Sequence, residues 1–177
     1  RRYRRGVRLY CIDLPKMLVF QVRTHERADP TATLSLLSAP GAPWQEADVT
    51  FVLPQDLELI PDAIDCAINM ASMQEMTTSS IASYFAFLRR RGTPDARFYC
   101  VNRRRKELVG GEVTTFSDYP WQPDDTVFLD GPCPYYRHFF APYTMPTGPR
   151  LFGLRVPYLN AVEGEHLHRL VRLAPRP

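Results

Sequence analysis

Four short apolar runs set the tightest limit on how this chain folds: Val7–Ile12 (VRLYCI), Val49–Leu53 (VTFVL), Ile64–Ile68 (IDCAI) and Arg97–Val101 (RFYCV). Each is nearly continuous rather than alternating, the pattern of a strand covered on both faces. Helical signals fall between them. Pro15 stops the first run and suits the opening of a helix, and Lys16–Arg27 carries Met17, Leu18, Val19, Phe20 and Val22. Residues 28–47, with Pro30, Pro40, Gly41 and Pro43, read as irregular chain. Gln55–Leu59 forms a short connection after Pro54. The strongest helix follows the third run. Thr77 or Thr78 supplies a capping hydroxyl, and Ile81, Tyr84, Phe85 and Leu88 recur at the i, i+3, i+4, i+7 spacing of one apolar face. Arg89–Arg91 complement the dipole in its last turn, Gly92 is expected in the left-handed C′ position, and Pro94 blocks continuation. This alternation over residues 7–101 predicts an α/β fold built on a doubly wound parallel sheet with right-handed crossovers.

The remainder differs. Residues 120–177 hold ten of the 17 prolines, and aromatic residues are plentiful from Tyr119 to Tyr143. Two late runs, Leu151–Val156 and His166–Leu173, are expected to pair as a closing antiparallel couple behind a long aromatic loop. At 177 residues the chain suits one domain, read as an α/β core over 1–119 and a loop with closing strands over 120–177. No run of about 18 apolar residues occurs, so no membrane-spanning helix is expected. The basic start, interrupted at Asp13, does not read as a signal peptide, and the expected location is cytoplasmic. Cys11, Cys66, Cys100 and Cys133 lack CxxC spacing and are expected to be reduced and buried rather than zinc ligands. His166 and His168 would share a strand face, with no third ligand to make a metal site. The net charge of +3 gathers at Arg1–Arg8, Arg89–Arg91 and Arg103–Lys106. No stacking aromatics interleave these clusters, so solvated helix ends and loops are expected rather than a nucleic-acid surface.

In doubly wound sheets, ligands bind outside the carboxyl ends of the strands. The first run delivers Asp13 there, the second Gln55 and Asp56, the third Asn69 and Ser72–Glu75, and the fourth Asn102 and Arg103. An acid after a strand can hold a ribose hydroxyl, although singly it is more often a turn or cap residue. The four sets of polar residues, converging on one edge, suit a nucleoside.

The segments YCIDLPKMLVFQ (10–21), INMASMQEMTTSSIASYFAFLR (68–89) and RFYCVNRRRK (97–106) resemble the bacterial sugar O-methyltransferases, a branch of the class I S-adenosylmethionine-dependent methyltransferases. The resemblance covers roughly residues 7–120 and rests most on the SM-x-EM and NR segments. It implies a Rossmann-like doubly wound sheet and S-adenosylmethionine as cofactor. The implied acceptor is a hydroxyl of a sugar or polysaccharide precursor. It further implies that Asp13 binds the ribose, that Leu14, Gln55, Asp56 and Leu57 border the adenine, and that Asn69, Met70 and Ser72 pass beside the methionine moiety. Gln74, Asn102, Arg103 and Lys106 would face the acceptor. Glu75 is the candidate base, with His138 in the aromatic loop as a second candidate.

Residue-level alternatives stand beside these. Glu75 precedes a helix, where an acid also favours the dipole. Met70, Met73 and Met76 suit packing, and a loop histidine such as His138 is usually solvated. The chain departs from the family in one large respect: nothing in residues 1–12 resembles the glycine-rich loop that follows the first strand. The expectation is either an N-terminally truncated chain that lacks the first strand and that loop, or a distorted domain in which the neighbouring strands close up. The absent strand would belong between the Val7–Ile12 and Ile64–Ile68 strands, leaving a gap and unpaired edges. The alternative is a non-catalytic remnant of the fold that serves as a binding module.

Overall fold

The computed structural model describes residues 6–37, 46–139, 150–155 and 165–175, the side chains of 137–139, 150, 151 and 155 excepted. The protein is mixed α/β, with parallel and antiparallel strands. Its contacts divide it into two compact units, Arg1–Asp62 and Ala63–Pro177.

The first unit contains β1 (Leu9–Ile12), α1 (Pro15–Ala28), β2 (Leu34–Leu37), β3 (Val49–Val52) and a 3-10 turn over Pro54–Leu59. Its sheet has the order β1-β3-β2 and is wholly parallel, with Ile12 and Leu37 both opposite Val52. The central strand β3 is buried along its length, as its unbroken apolar run requires. Pro15 opens α1, where a missing N–H costs nothing. The helix lays Leu18 and Val22 against Val49, Phe51, Cys11, Leu34 and Leu53. β2 lies where irregular chain was expected. LSLL is too short to carry a periodic signal, and pairing with β3 decides its conformation. Asp48 fixes its start by accepting both the N–H and the hydroxyl of Thr33 at 2.9 Å.

The second unit begins with β4 (Ile64–Met70), a 3-10 turn over Met73–Glu75, α2 (Thr78–Arg91) and β5 (Gly92–Arg103). A hairpin of β6 (Arg105–Glu107) and β7 (Val113–Thr115) follows. Then come β8 (Thr126–Pro132), α3 (Pro134–Phe139), a two-residue-stranded hairpin of β9 (Arg150–Leu151) and β10 (Leu154–Arg155), and β11 (His166–Arg172). The main sheet runs β4-β5-β11-β8. β4 and β5 are parallel, and β11 is antiparallel to both of its neighbours. Every strand of that sheet except β11 therefore points the same way.

Thr77 caps α2 as expected, its hydroxyl accepting the Ser80 N–H at 3.2 Å. Ile81 and Phe85 pack with Phe98, Cys100, Phe116, Tyr119 and Val171. Trp121 meets the Phe85 ring edge-on at 4.8 Å. Burying Phe85 contributes roughly 1.5–3 kcal/mol.

Four expectations are corrected. Gly92 is not left-handed; its φ is −65° and it passes directly into β5. Glycine is needed there because a Cβ would stand 2.7 Å from the Leu88 carbonyl oxygen. Arg89 is not a solvated helix end but a buried cation, bound by both oxygens of Asp125 at 2.7 and 2.9 Å and by the carbonyls of Pro120 and Ala174. β11 does not pair with the run at 151–155 but with β5 and β8, the latter drawn from what read as aromatic loop. Among the cysteines, Cys66 is exposed and Cys11 only half-buried.

Candidate functional site

In the first unit, β1 and β3 end in register, so the segments leaving them start side by side. The Asp13 N–H donates to the Val52 carbonyl at 3.3 Å, continuing the ladder one residue past the strand. Its carboxylate is half-buried. One oxygen accepts the Leu14 N–H and the other the Gln21 side-chain amide, each at 2.8 Å. A carboxylate offers about four acceptor positions, so these two bonds orient Asp13 without exhausting it. Leu14 is 63% exposed beside it. Gln55 is exposed and Asp56 half-buried on the turn after β3. Leu57 differs: its side chain points into the core and is 6% exposed, so it offers no face to a ligand.

In the second unit, β4 ends at Met70 and Ala71 turns the chain with a φ of 57°. A non-glycine residue held there costs on the order of 1 kcal/mol, and such strain tends to gather at functional sites. The Ala71 N–H is fastened to the Val101 carbonyl at 2.7 Å. Ser72 is exposed, and the turn over Met73–Glu75 buries Met73 and Gln74.

Three amides then brace one another. The Asn69 Oδ1 accepts the Met73 N–H at 3.2 Å and the Asn102 Nδ2 at 2.9 Å. The Asn102 Oδ1 accepts the Gln74 N–H at 3.0 Å, and the Gln74 Oε1 accepts the Arg103 N–H at 2.8 Å. Asn102 is 0% exposed and Gln74 4%. These two, expected to face an acceptor, are committed to the scaffold instead. Burial demands partners for every amide atom, and the departing loop supplies them.

Glu75 is what this bracing presents. Its side chain is 54% exposed and lies 3.8 Å from the Lys106 ammonium, and the Gln74 Nε2 donates to it at 3.3 Å. Lys106 arrives on the β6–β7 hairpin, opposite Thr114. The hairpin is anchored at its turn by Glu112, which accepts the Thr78 N–H at 2.7 Å and the Thr78 hydroxyl at 2.6 Å. Those bonds hold the Glu112 carboxyl below the usual range. Glu112 thus serves the first turn of α2 from 34 residues away, a role with no local sequence signal.

The other titratable groups lie elsewhere in the second unit. His138 falls in α3, but its side chain lies outside the described residues. His166 and His168 share a strand face, as the period of two requires. The His166 ring stacks on Tyr136 at 4.0 Å, and the His168 Nδ1 meets the Tyr99 hydroxyl at 3.0 Å. Burial, then the Arg103 charge, lowers the His166 pKa. Burial pushes the Cys100 thiol up to about 12, while in the first unit burial and then the Asp13 charge push Cys11 to about 11, so neither is a ready nucleophile. Among the described residues no three His, Cys, Asp or Glu side chains gather as a metal would need, and no helix is long and apolar enough to cross a membrane.

No family model matches the chain, and no curated protein matches it. Among solved structures it is similar to the PH0226 protein from Pyrococcus horikoshii OT3, at 11% identity and a TM-score of 0.48, over 95% of this chain and 72% of that one.

Proposed function

We propose that this chain functions as a Rossmann-like, S-adenosylmethionine-dependent O-methyltransferase acting on a hydroxyl of a sugar or polysaccharide precursor. The observation that carries this reading is Asp13, which stands one residue past a parallel strand with its carboxylate oriented by two bonds and acceptor capacity left over. A sheet parallel except for a reversed closing strand, here β11, agrees with the same fold.

The residues fit the cofactor in part. Asp13 keeps acceptor capacity for a ribose, and Leu14 leaves an apolar surface open for an adenine. Gly6 is the sole glycine before residue 41 and leads into a strand rather than a helix, so the glycine-rich cofactor loop of the family has no counterpart among the described residues. When bound, S-adenosylmethionine supplies an electrophilic methyl group. The part of this chain is to orient the cofactor through Asp13 and to take the hydroxyl proton of the acceptor on Glu75. Lys106 beside Glu75 suits an anionic sugar. A positioned base of this kind contributes about 10²–10⁴ in rate.

Calorimetry with S-adenosylhomocysteine tests the reading, on this chain and on one extended by whatever residues are encoded upstream. Binding is expected in the longer form at least, weakened about tenfold or more by Asp13→Ala, the loss expected for a hydrogen bond to a charged group. No binding in either form would refute the methyltransferase reading and leave a binding module. Binding indifferent to Asp13→Ala would remove Asp13 from the site.

A further inference from the structure

We propose that Asn102 is a positioning residue that sets Glu75 by way of Gln74, and that it does not contact the acceptor. The proposal rests on the reading of Glu75 as the proton acceptor. Its foundation is the direction of the hydrogen bonds between β4, β5 and the turn that carries Glu75.

Two backbone N–H groups fix that direction. The Gln74 N–H can only donate, so the Asn102 atom it meets is the carbonyl oxygen, and the Asn102 amide nitrogen must face Asn69. The Met73 N–H likewise can only donate, so the Asn69 atom facing both Met73 and Asn102 is its oxygen. Asn69 therefore works here as an acceptor alone, whereas Asn102 must donate and accept at once. The Asn102 amide also reaches the Cys100 sulfur at 3.2 Å, so its nitrogen is held from both sides. On the far side of the turn, the Gln74 oxygen returns to the β5 backbone at Arg103. Gln74 is thus clamped through its own N–H and its side-chain oxygen, and the next residue is Glu75. The strained Ala71 gives the turn its direction, and the amides hold it there.

The asymmetry distinguishes this arrangement from ordinary packing. Asn69→Asp keeps both of the bonds Asn69 accepts. Asn102→Leu removes the acceptor for Gln74 and the donor to Asn69, and Asn69→Leu removes the one oxygen that accepts from both Met73 and Asn102. The readout is the carbodiimide cross-link between the Glu75 carboxyl and the Lys106 amine, located by mass spectrometry in the full chain. It requires the two groups to be neighbours and does not require activity.

The cross-link is expected in the native chain and in Asn69→Asp, and lost in Asn102→Leu and Asn69→Leu while circular dichroism still reports the native fold. Where methyl transfer is measurable, Asn102→Leu should lower kcat by about 100-fold with KM for S-adenosylmethionine unchanged, as misplacement of a reacting group by about 1 Å does. A folded Asn102→Leu that keeps the cross-link overturns the proposal. If Asn102→Leu does not fold, the Asn69 pair decides: equal cross-linking in Asn69→Asp and Asn69→Leu also overturns it. Absence of methyl transfer in a native chain that binds S-adenosylhomocysteine, with the cross-link pattern intact, would count against the catalytic role of Glu75 and leave the bracing standing.

Discussion

The carboxyl ends of the parallel strands carry similar residues in the two units and use them in opposite ways. After β1, Asp13 is oriented by two bonds and keeps capacity for a third partner. After β4 and β5, Asn69, Gln74 and Asn102 are spent on one another, and Glu75 is presented outward. What differs is the connection that follows the strand. β1 reaches its helix in two residues, Asp13 and Leu14, and few backbone donors are orphaned. β4 reaches α2 only through Ala71–Thr77, which includes a left-handed residue and a 3-10 turn that buries Met73 and Gln74. Buried N–H groups in such a connection must find acceptors, and strand-end amides are the nearest. A polar residue at a strand end thus keeps hydrogen-bonding capacity to spare where the loop is short and braces the loop where it is long.

The comparison also implies that the second unit depends on specific polar ties and the first on apolar cover. The largest effect is therefore expected from Arg89→Ala, about 3–5 kcal/mol by urea unfolding, because Asp125 would be left buried without its partner. In the native protein, burial pushes the Asp125 carboxyl up, but Arg89 and the backbone N–H groups of Ala174 and Gln122 outweigh it and hold it below the usual range. That contribution is present above the unfolded carboxyl value, about 3.9, and is lost as pH falls through the lower folded one. A loss under about 1 kcal/mol in Arg89→Ala would break the contrast between the units, since it is the size of an ordinary exposed ion pair.

Leu18→Ala in the first unit comes next. Truncation of a buried leucine costs about 2–5 kcal/mol, and the lower part of that range is expected. A groove of about 440 Å³ lined by Leu18, Val22, Leu34 and Phe51 already lies over this core, so less packing is forfeited than in a closed interior. A cost at the top of the range would show that the groove is covered in solution.

Much of this division was open to reading from the sequence, and the exceptions share a cause. The buried run VTFV, the Pro15 start of α1 and the Thr77 cap are local signals, and the structure honours each. LSLL and TVFLDGP became strands only because β3 and β11 offered them edges, which no window of sequence contains. Arg89 read as a solvated helix end because its partner lies 36 residues away. At the site, Asp13 and Glu75 were legible as acids following strands. Asn102 and Gln74 were visible as polar residues at the correct edge, but their direction was not. Side-chain type marks where hydrogen-bonding capacity sits, and only burial and the unpaired donors nearby decide whether it faces inward.

The smallest expected effect probes the buried His166 on β11. His166 has its pKa lowered first by burial and then by Arg103, with Tyr136 stacked on its ring. A histidine that resists protonation when folded binds fewer protons than in the unfolded chain at pH values just below about 6.5. Its contribution to stability is therefore complete above that value and declines as pH falls toward the folded pKa. Urea midpoints measured through this window should fall with acidification in the native protein, and more shallowly in His166→Phe, which keeps a ring under Tyr136 and cannot titrate. The Asn69–Asn102–Gln74 bracing contains no group that titrates there, so Asn102→Leu should shift the whole curve without changing its slope. If the slope flattened in Asn102→Leu instead, the bracing and the His166 face would be one coupled element. The contrast between saturated strand ends and accessible ones would then have to be drawn across the whole second unit rather than at the Glu75 turn.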